Sequence, residues 1–288
     1  MKRIRTTMAS ILLIVMAFTL SGCGSFEARI ARAASQMQKL DSMHMDIDLQ
    51  FSLAVTLLGE SVAMDYAMDI ESDMFTDPLL ARMDMTLQGF GESLPFQYYM
   101  EEEDGIYTLY FTSDGGDSWQ KQNFKSEEYP GNLATSNAVS QLALFSKSAK
   151  SFREMGTESI NGSAALRYDG VLEGEIVSEA LTQSGVAAML SEQFGTPIDM
   201  SVFAGTSISA SIWIDQKTGM IVRYDLDLTE AMNDVLKMAL DAVLESAGVD
   251  GLEGLTSSVE LKDCLFSTVL SQFDAVERFE IPAAAKAA

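Results

Sequence analysis

Alternation with a period of two dominates the chain from residue 43 onward. One parity reads Met43, Met45, Ile47, Leu49, Phe51, Leu53, Val55 and Leu57, while the other begins His44, Asp46, Asp48, Gln50 and Ser52. Such alternation predicts a strand with one dry and one wet face. Past a turn at Gly59 the pattern restarts as Val62, Met64, Tyr66, Met68 and Ile70 against Asp65, Asp69 and Glu71. After Asp77-Pro78 it recurs as Ala81, Met83, Met85 and Leu87 against Arg82, Asp84 and Gln88. At about 3.3 Å per residue the first strand would span roughly 50 Å, and a sheet of such strands must twist and curl.

Further strands are predicted over 95–100, 106–112 and 118–124, the last two joined by the turn Asp114-Gly115-Gly116-Asp117. Two hairpins follow, 153–159 with 164–172 turning at Asn161-Gly162, and 207–214 with 220–228 turning through 215–219. A last long strand covers 257–273. Helical spacing appears over 27–40, 138–150, 175–194 (interrupted at Gly185) and 230–247, where Val235, Leu236, Ala239, Leu240, Val243 and Leu244 form one apolar stripe. Asp234, Lys237, Asp241 and Glu245 exclude that helix as a membrane span. The elements predict an α+β fold, in which a long, curved antiparallel sheet, an incomplete barrel, packs helices on its concave apolar face. A single domain over 43–282 is expected, with a leading helix in 23–42 and a flexible tail at 283–288.

The amino-terminal segment follows a different pattern. Lys2, Arg3 and Arg5 precede an apolar run from Met8 to Leu20, which ends in Leu20-Ser21-Gly22-Cys23. A basic start, a short apolar stretch and a small-residue exit describe a secretory signal over 1–22. The last four residues resemble a lipobox, which implies lipidation of Cys23 and cleavage before it. The expectation is therefore a lipid-anchored protein on the extracytoplasmic face of a cell membrane.

Charge narrows the partners. Asp and Glu number 42 against 19 Lys and Arg, and the formal net charge of −23 becomes −26 once Lys2, Arg3 and Arg5 are removed with no acid. Nucleic acid is excluded as a partner, because phosphate binding needs clustered bases. An acidic body should also stand off anionic headgroups. Cys264 would then lack an intrachain partner and is expected as a buried thiol.

Enzyme signatures are absent where they would be readable. There is no Gly-x-Ser-x-Gly, no Gly-Lys-Ser/Thr phosphate loop and no His-Glu-x-x-His in the chain. The single histidine, His44, is expected on the wet parity as a solvated residue. The segment 114–117 lacks the alternating ligands of a calcium loop. The expectation is a non-enzyme with no cofactor and no resident metal.

Two hairpins carry a family resemblance. Ile212-Trp213-Ile214-Asp215 with Thr218-Gly219 and Val222-Arg223-Tyr224 is similar to a hairpin of the LolA/LppX-like superfamily of envelope lipoprotein carriers. The stretch from Asn161-Gly162 through Arg167-Tyr168-Asp169-Gly170 to Gly174-Glu175 resembles clostridial lipoproteins of the same architecture, which implies a Gram-positive, clostridium-like source. The resemblance implies a half-barrel around an apolar cavity, and it transfers no functional residue.

Methionine gives the expected cavity its character. The chain holds 18 Met, and Met45, Met64, Met68, Met83 and Met85 share the dry parity of three successive strands with Leu49. Flexible, polarizable side chains suit varied apolar ligands. These six residues and Trp213 are the candidate cavity lining, although the same parity would serve Met that simply pack beneath helices. The leading expectation is an anchored lipoprotein that binds a lipid or other amphiphile between sheet and helices. The alternative is a solid-cored module that engages or senses an envelope protein.

Overall fold

The alternating segments become strands in the computed structural model, which describes residues 25–57, 60–125, 145–183, 200–237 and 259–288. The expected signal segment, Cys23, Gly185 and parts of three predicted helices lie outside the described residues. In chain order the strands are β1 (Ser42–Leu57), β2 (Glu60–Thr76), β3 (Leu79–Gly89), β4 (Glu92–Glu103), β5 (Ile106–Thr112), β6 (Gln120–Lys125), β7 (Arg153–Ile160), β8 (Ser163–Glu173), β9 (Ser207–Asp215), β10 (Ile221–Asp227) and β11 (Val259–Ser271). The described helices are α1 (Phe26–Met37), α2 (Gly174–Gln183), α3 (229–237) and α4 (Ala283–Lys286).

All eleven strands form one open antiparallel sheet in the order β6-β5-β4-β3-β2-β1-β11-β10-β9-β8-β7. Two meanders, β1–β6 and β7–β10, are joined by the last strand, which slots between β1 and β10. Asp274 Oδ1 ties that junction by accepting from the Asp41 amide at 2.7 Å. Two-residue turns with both central residues at positive φ close three hairpins: Phe90-Gly91, Asp104-Gly105 and Asn161-Gly162. That backbone matches the twist of the flanking strands. The turn over 215–219 is held by Asp215 Oδ1, which accepts from the amides of Lys217 at 2.9 Å and Thr218 at 2.6 Å.

Registers place the odd residues of β1 on one face, with Met43 opposite Met74, Leu49 opposite Met68, and Met45 opposite Leu270. Helix α1 lies on this apolar face. Ser25 caps it, its hydroxyl accepting from the Ala28 amide at 3.3 Å, and Phe26, Ile30, Ala33 and Met37 are buried at helical spacing. Phe26 stacks on Phe152 at 4.6 Å and tilts against Tyr168 at 4.9 Å. Gly170 permits that approach, since a Cβ there would lie 2.5 Å from the Phe152 ring. Ile208, Ile212, Ile214, Ile221 and Leu270 complete the buried layer. Each such side chain contributes about 1.5–3 kcal/mol of burial.

The carboxy-terminal residues differ from the expectation of a frayed tail. Ile281 and Ala285 are buried against Tyr110, Leu80, Tyr99 and Trp119, and Lys286 Nζ donates to Glu101 at 3.1 Å. The aromatic residues that β3–β5 place on the wet face need an apolar cover, and the tail provides it.

Candidate functional site

The apolar face has two parts. Near the start of β1 it is covered: Met43, Met74, Tyr107 and Leu270 are buried in the main cluster. Further along, cross-strand rows remain half-buried. One row runs Met45–Ser72–Met83–Tyr98, the next Ile47–Ile70–Met85–Phe96, and a third Leu49–Met68–Leu87–Leu94. Leu53 opposite Met64 extends the wall beyond the end of β3. Apart from Ser72, which is buried, and Leu94, which is exposed, the residues of these rows are half-buried.

The structure thus brings six of the seven candidate residues onto one wall: Met45, Leu49, Met64, Met68, Met83 and Met85. Residues unsuspected from the sequence join them, notably Phe96 and Tyr98 on β4, where Tyr98 stacks on Phe111 at 6.2 Å. Their parity, shared with Leu94 and Met100, was the available signal. It was hidden because Pro95 and Tyr99 on the other parity blur the alternation.

Trp213 belongs elsewhere. It sits on the opposite face, 3% exposed, in a small cluster with Ala165 and Val222. Arg167 and Arg223 both lie over its ring, at 5.2 and 4.8 Å from the centroid. Its Nε1 donates to Glu158 at 2.8 Å, and this bond, followed by Arg167, holds the Glu158 carboxyl below its usual range. Each arginine is also fixed by the carboxylate two residues on, Asp169 and Asp225. Ser211 donates to Asp169 at 2.8 Å and Ser267 to Asp225 at 2.7 Å. Trp213 therefore pins β7 to β10 on the wet side, and its alternating neighbours Ile212 and Ile214 serve the apolar face.

His44 is not the solvated residue expected. Its Nδ1 lies 2.7 Å from Asp73 and its Nε2 3.1 Å from Asp46, and Arg82 donates to Asp73 at 2.6 Å. Burial disfavours the imidazolium, but the hydrogen bonds and charges of Asp73 and Asp46 outweigh it and raise the His44 pKa. Asp48, on the same face, is also raised, first by burial and then by the neighbouring Asp69.

Two hollows open on this polar side. One of about 710 Å³ is lined by residues including Gln50, Ser52, Asp65, Gln88 and Ser93. Another of about 550 Å³ includes Asp48, Ser209, Arg223, Asp225 and Ser267. Among the described residues no group of three or more His, Cys, Asp or Glu is arranged to hold a metal ion. Asp114 is engaged locally, accepting from Thr112 Oγ1 at 2.6 Å and from the Ser118 amide at 3.0 Å. These bonds, with that from the Ser118 hydroxyl largest, lower its pKa. Cys264 is buried and free, its thiol pushed up to about 11 by burial and by Asp227, so it is poorly suited to nucleophilic chemistry. Among the described residues no helix is long and apolar enough to cross a membrane.

A family model described as a family of unknown function, DUF6612, matches residues 26–242. No curated protein matches the sequence. Among solved structures, LprF from Mycobacterium bovis is similar over 91% of this chain and 100% of its own, at 12% identity and a TM-score of 0.49. Lipoprotein LppX from Mycobacterium tuberculosis is similar over 88% and 98%, at 14% identity and a TM-score of 0.41. A LolA superfamily protein from Nitrosomonas europaea covers 89% and 96%, at 9% identity and a TM-score of 0.18. None of these identities is high enough to transfer a residue role.

Proposed function

We propose, for a chain that belongs to the DUF6612 family of unknown function, that it is a lipoprotein anchored through Cys23 which binds one acyl chain or similar amphiphile on its methionine-rich wall. The observation that carries this reading is the wall itself. Met45, Leu49, Met64, Met68, Met83 and Met85 line three adjacent strands in register, half-buried beside a fully buried core. A stretch of large apolar side chains left partly open stabilises an apolar ligand by about 0.8 kcal/mol per buried CH₂. Flexible thioethers adapt to chains of different shape without a rigid pocket. The apolar run ending at Leu20-Ser21-Gly22-Cys23 supports the anchor and the extracytoplasmic address.

Mass spectrometry of organic extracts tests the ligand. The chain from Gly24 onward, purified from a bacterial host without detergent, is expected to carry stoichiometric lipid. The double substitution Met45→Trp and Met64→Trp should lose it while the circular dichroism spectrum is kept. A folded wild-type chain with no extractable lipid sinks the reading in favour of a protein-interaction module, whose contacts would then be sought at the polar hollows.

A further inference from the structure

We propose that the methionine wall is a site of oxidative modification: hydrogen peroxide converts Met45, Met64, Met68, Met83 and Met85 to sulfoxides and thereby shuts off the binding of apolar ligands there. The inference deepens the ligand reading and rests on it, since only a wall that binds acyl chains has binding to lose. Each step moves one oxygen atom from peroxide to a thioether sulfur. The O–O bond breaks, an S=O bond forms, the sulfur gives up two electrons, and the peroxide leaves as water.

Exposure sorts the methionines. The wall thioethers are half-buried, so a molecule as small as peroxide reaches them. Met37, Met43 and Met74 are 5%, 2% and 6% exposed and closed within the main core. Met155 is 61% exposed, but it stands on β7, the edge strand at the far side of the sheet. Cys264 does not compete for the oxidant. It is buried and free, and its raised pKa keeps it as the thiol, the form slow to react.

Apolarity alone does not call for methionine. The same rows hold Ile47, Leu49, Ile70 and Leu87 at equivalent positions, and Leu and Met exchange at nearly constant volume. What Met adds is a sulfur open to oxidation, and these sulfurs are concentrated. They lie on three adjacent strands, a patch about 10 Å across and about 26 Å long from the row of Met45 to that of Met64.

Oxidation changes what the patch can bind. A sulfoxide needs a hydrogen-bond donor, and its neighbours here supply none. Met68 faces Leu49 and Leu87, and Met85 faces Ile70 and Phe96. Water solvates the S=O dipole while the wall is open, but an acyl chain laid over it removes that water and puts nothing in its place. A polar group buried in this way weakens binding by about tenfold. Met64 differs, since its Sδ already accepts from the Tyr66 hydroxyl at 3.9 Å, and a sulfoxide oxygen there keeps a donor. The strand ladder and the buried Met43 and Met74 are left as they are, so the oxidised chain stays folded.

The test uses the full chain in phosphatidylcholine nanodiscs, with or without prior treatment by hydrogen peroxide, and a diazirine-bearing palmitate as the probe. Peptide mass mapping reads both the sulfoxides and the sites of photo-labelling. Sulfoxide is expected at the wall positions ahead of Met37, Met43 and Met74. Label on β1–β3 should fall about tenfold or more while the circular dichroism spectrum is kept. The combined variant Met45→Leu, Met64→Leu, Met68→Leu, Met83→Leu and Met85→Leu should take label as wild type does and keep it after peroxide. Met100, Met155, Met220 and Met232 remain in both chains, so their oxidation does not account for a difference. If that variant fails to fold, the pair Met68→Leu and Met85→Leu should keep several-fold more label after peroxide than wild type. Oxidation of the buried methionines first, equal loss in wild type and the leucine variants, or a loss that comes with unfolding overturns the proposal. An untreated wild type with no label on the wall removes the ligand reading and this inference with it. Label that survives peroxide removes this inference alone.

Discussion

Gly89 shows how one residue shapes the wall. A Cβ there would lie 2.5 Å from Cδ1 of Tyr66, so the missing side chain is what lets the tyrosine ring lie over the strand and stack on Phe51. Gly89→Ala must push that ring aside. The expected cost is about 1–3 kcal/mol, the usual penalty of overpacking, read as a lower urea midpoint with an unchanged slope. A midpoint equal to wild type would show that the ring is free to move and does not define the end of the wall. The same scale explains the unequal roles of neighbours around residue 213. Ile212 and Ile214 are buried in the main core while Trp213 is held between two guanidinium groups on the other side.

At the scale of elements, His44 joins three strands through Asp46 on β1, Asp73 on β2 and, through Asp73, Arg82 on β3. Its folded-state pKa is raised above 6.5. The stabilisation it brings is therefore fully present below the unfolded value and is lost as pH rises through the folded one. The stability difference between wild type and His44→Gln should accordingly be larger at about pH 5.5 than at about pH 8.5. A difference that is constant or grows with pH would show that the imidazole acts only as a neutral hydrogen-bonding group. Strand identity was largely legible in the sequence because alternation is a local property: the dry parities of β1, β2 and β3 emerge as one face. β4 was less legible, since aromatic residues occur on both of its parities. Tyr98 belongs to the wall while Tyr99 packs on Trp119 and Phe279.

The whole molecule is tied together by its ends. β11 completes the sheet between β1 and β10, and the residues after it return over the wet face of β3–β5. Ile281 is 7% exposed within that contact. Ile281→Ala is expected to cost about 2–4 kcal/mol, the range for buried large-to-small substitution, measured by denaturant unfolding. No change in the midpoint would mean that the tail detaches before the sheet unfolds and is not part of its cooperative unit.

Properties set by neighbours in the chain were determined by the sequence alone: which strands alternate, which residues share a dry face, where Asn161-Gly162 and residues 215–219 turn. The period of a strand and the conformational preference of a turn need no distant partner. Tertiary structure decided what depends on pairing across long separations. Asp41 meets Asp274, Ile47 faces Thr268, and Trp213 draws Arg167 and Arg223 from different strands. The joining of the two meanders by the last strand, the docking of the tail and the partial opening of the methionine wall follow from those pairings, because burial is a property of the assembled surface and not of any segment.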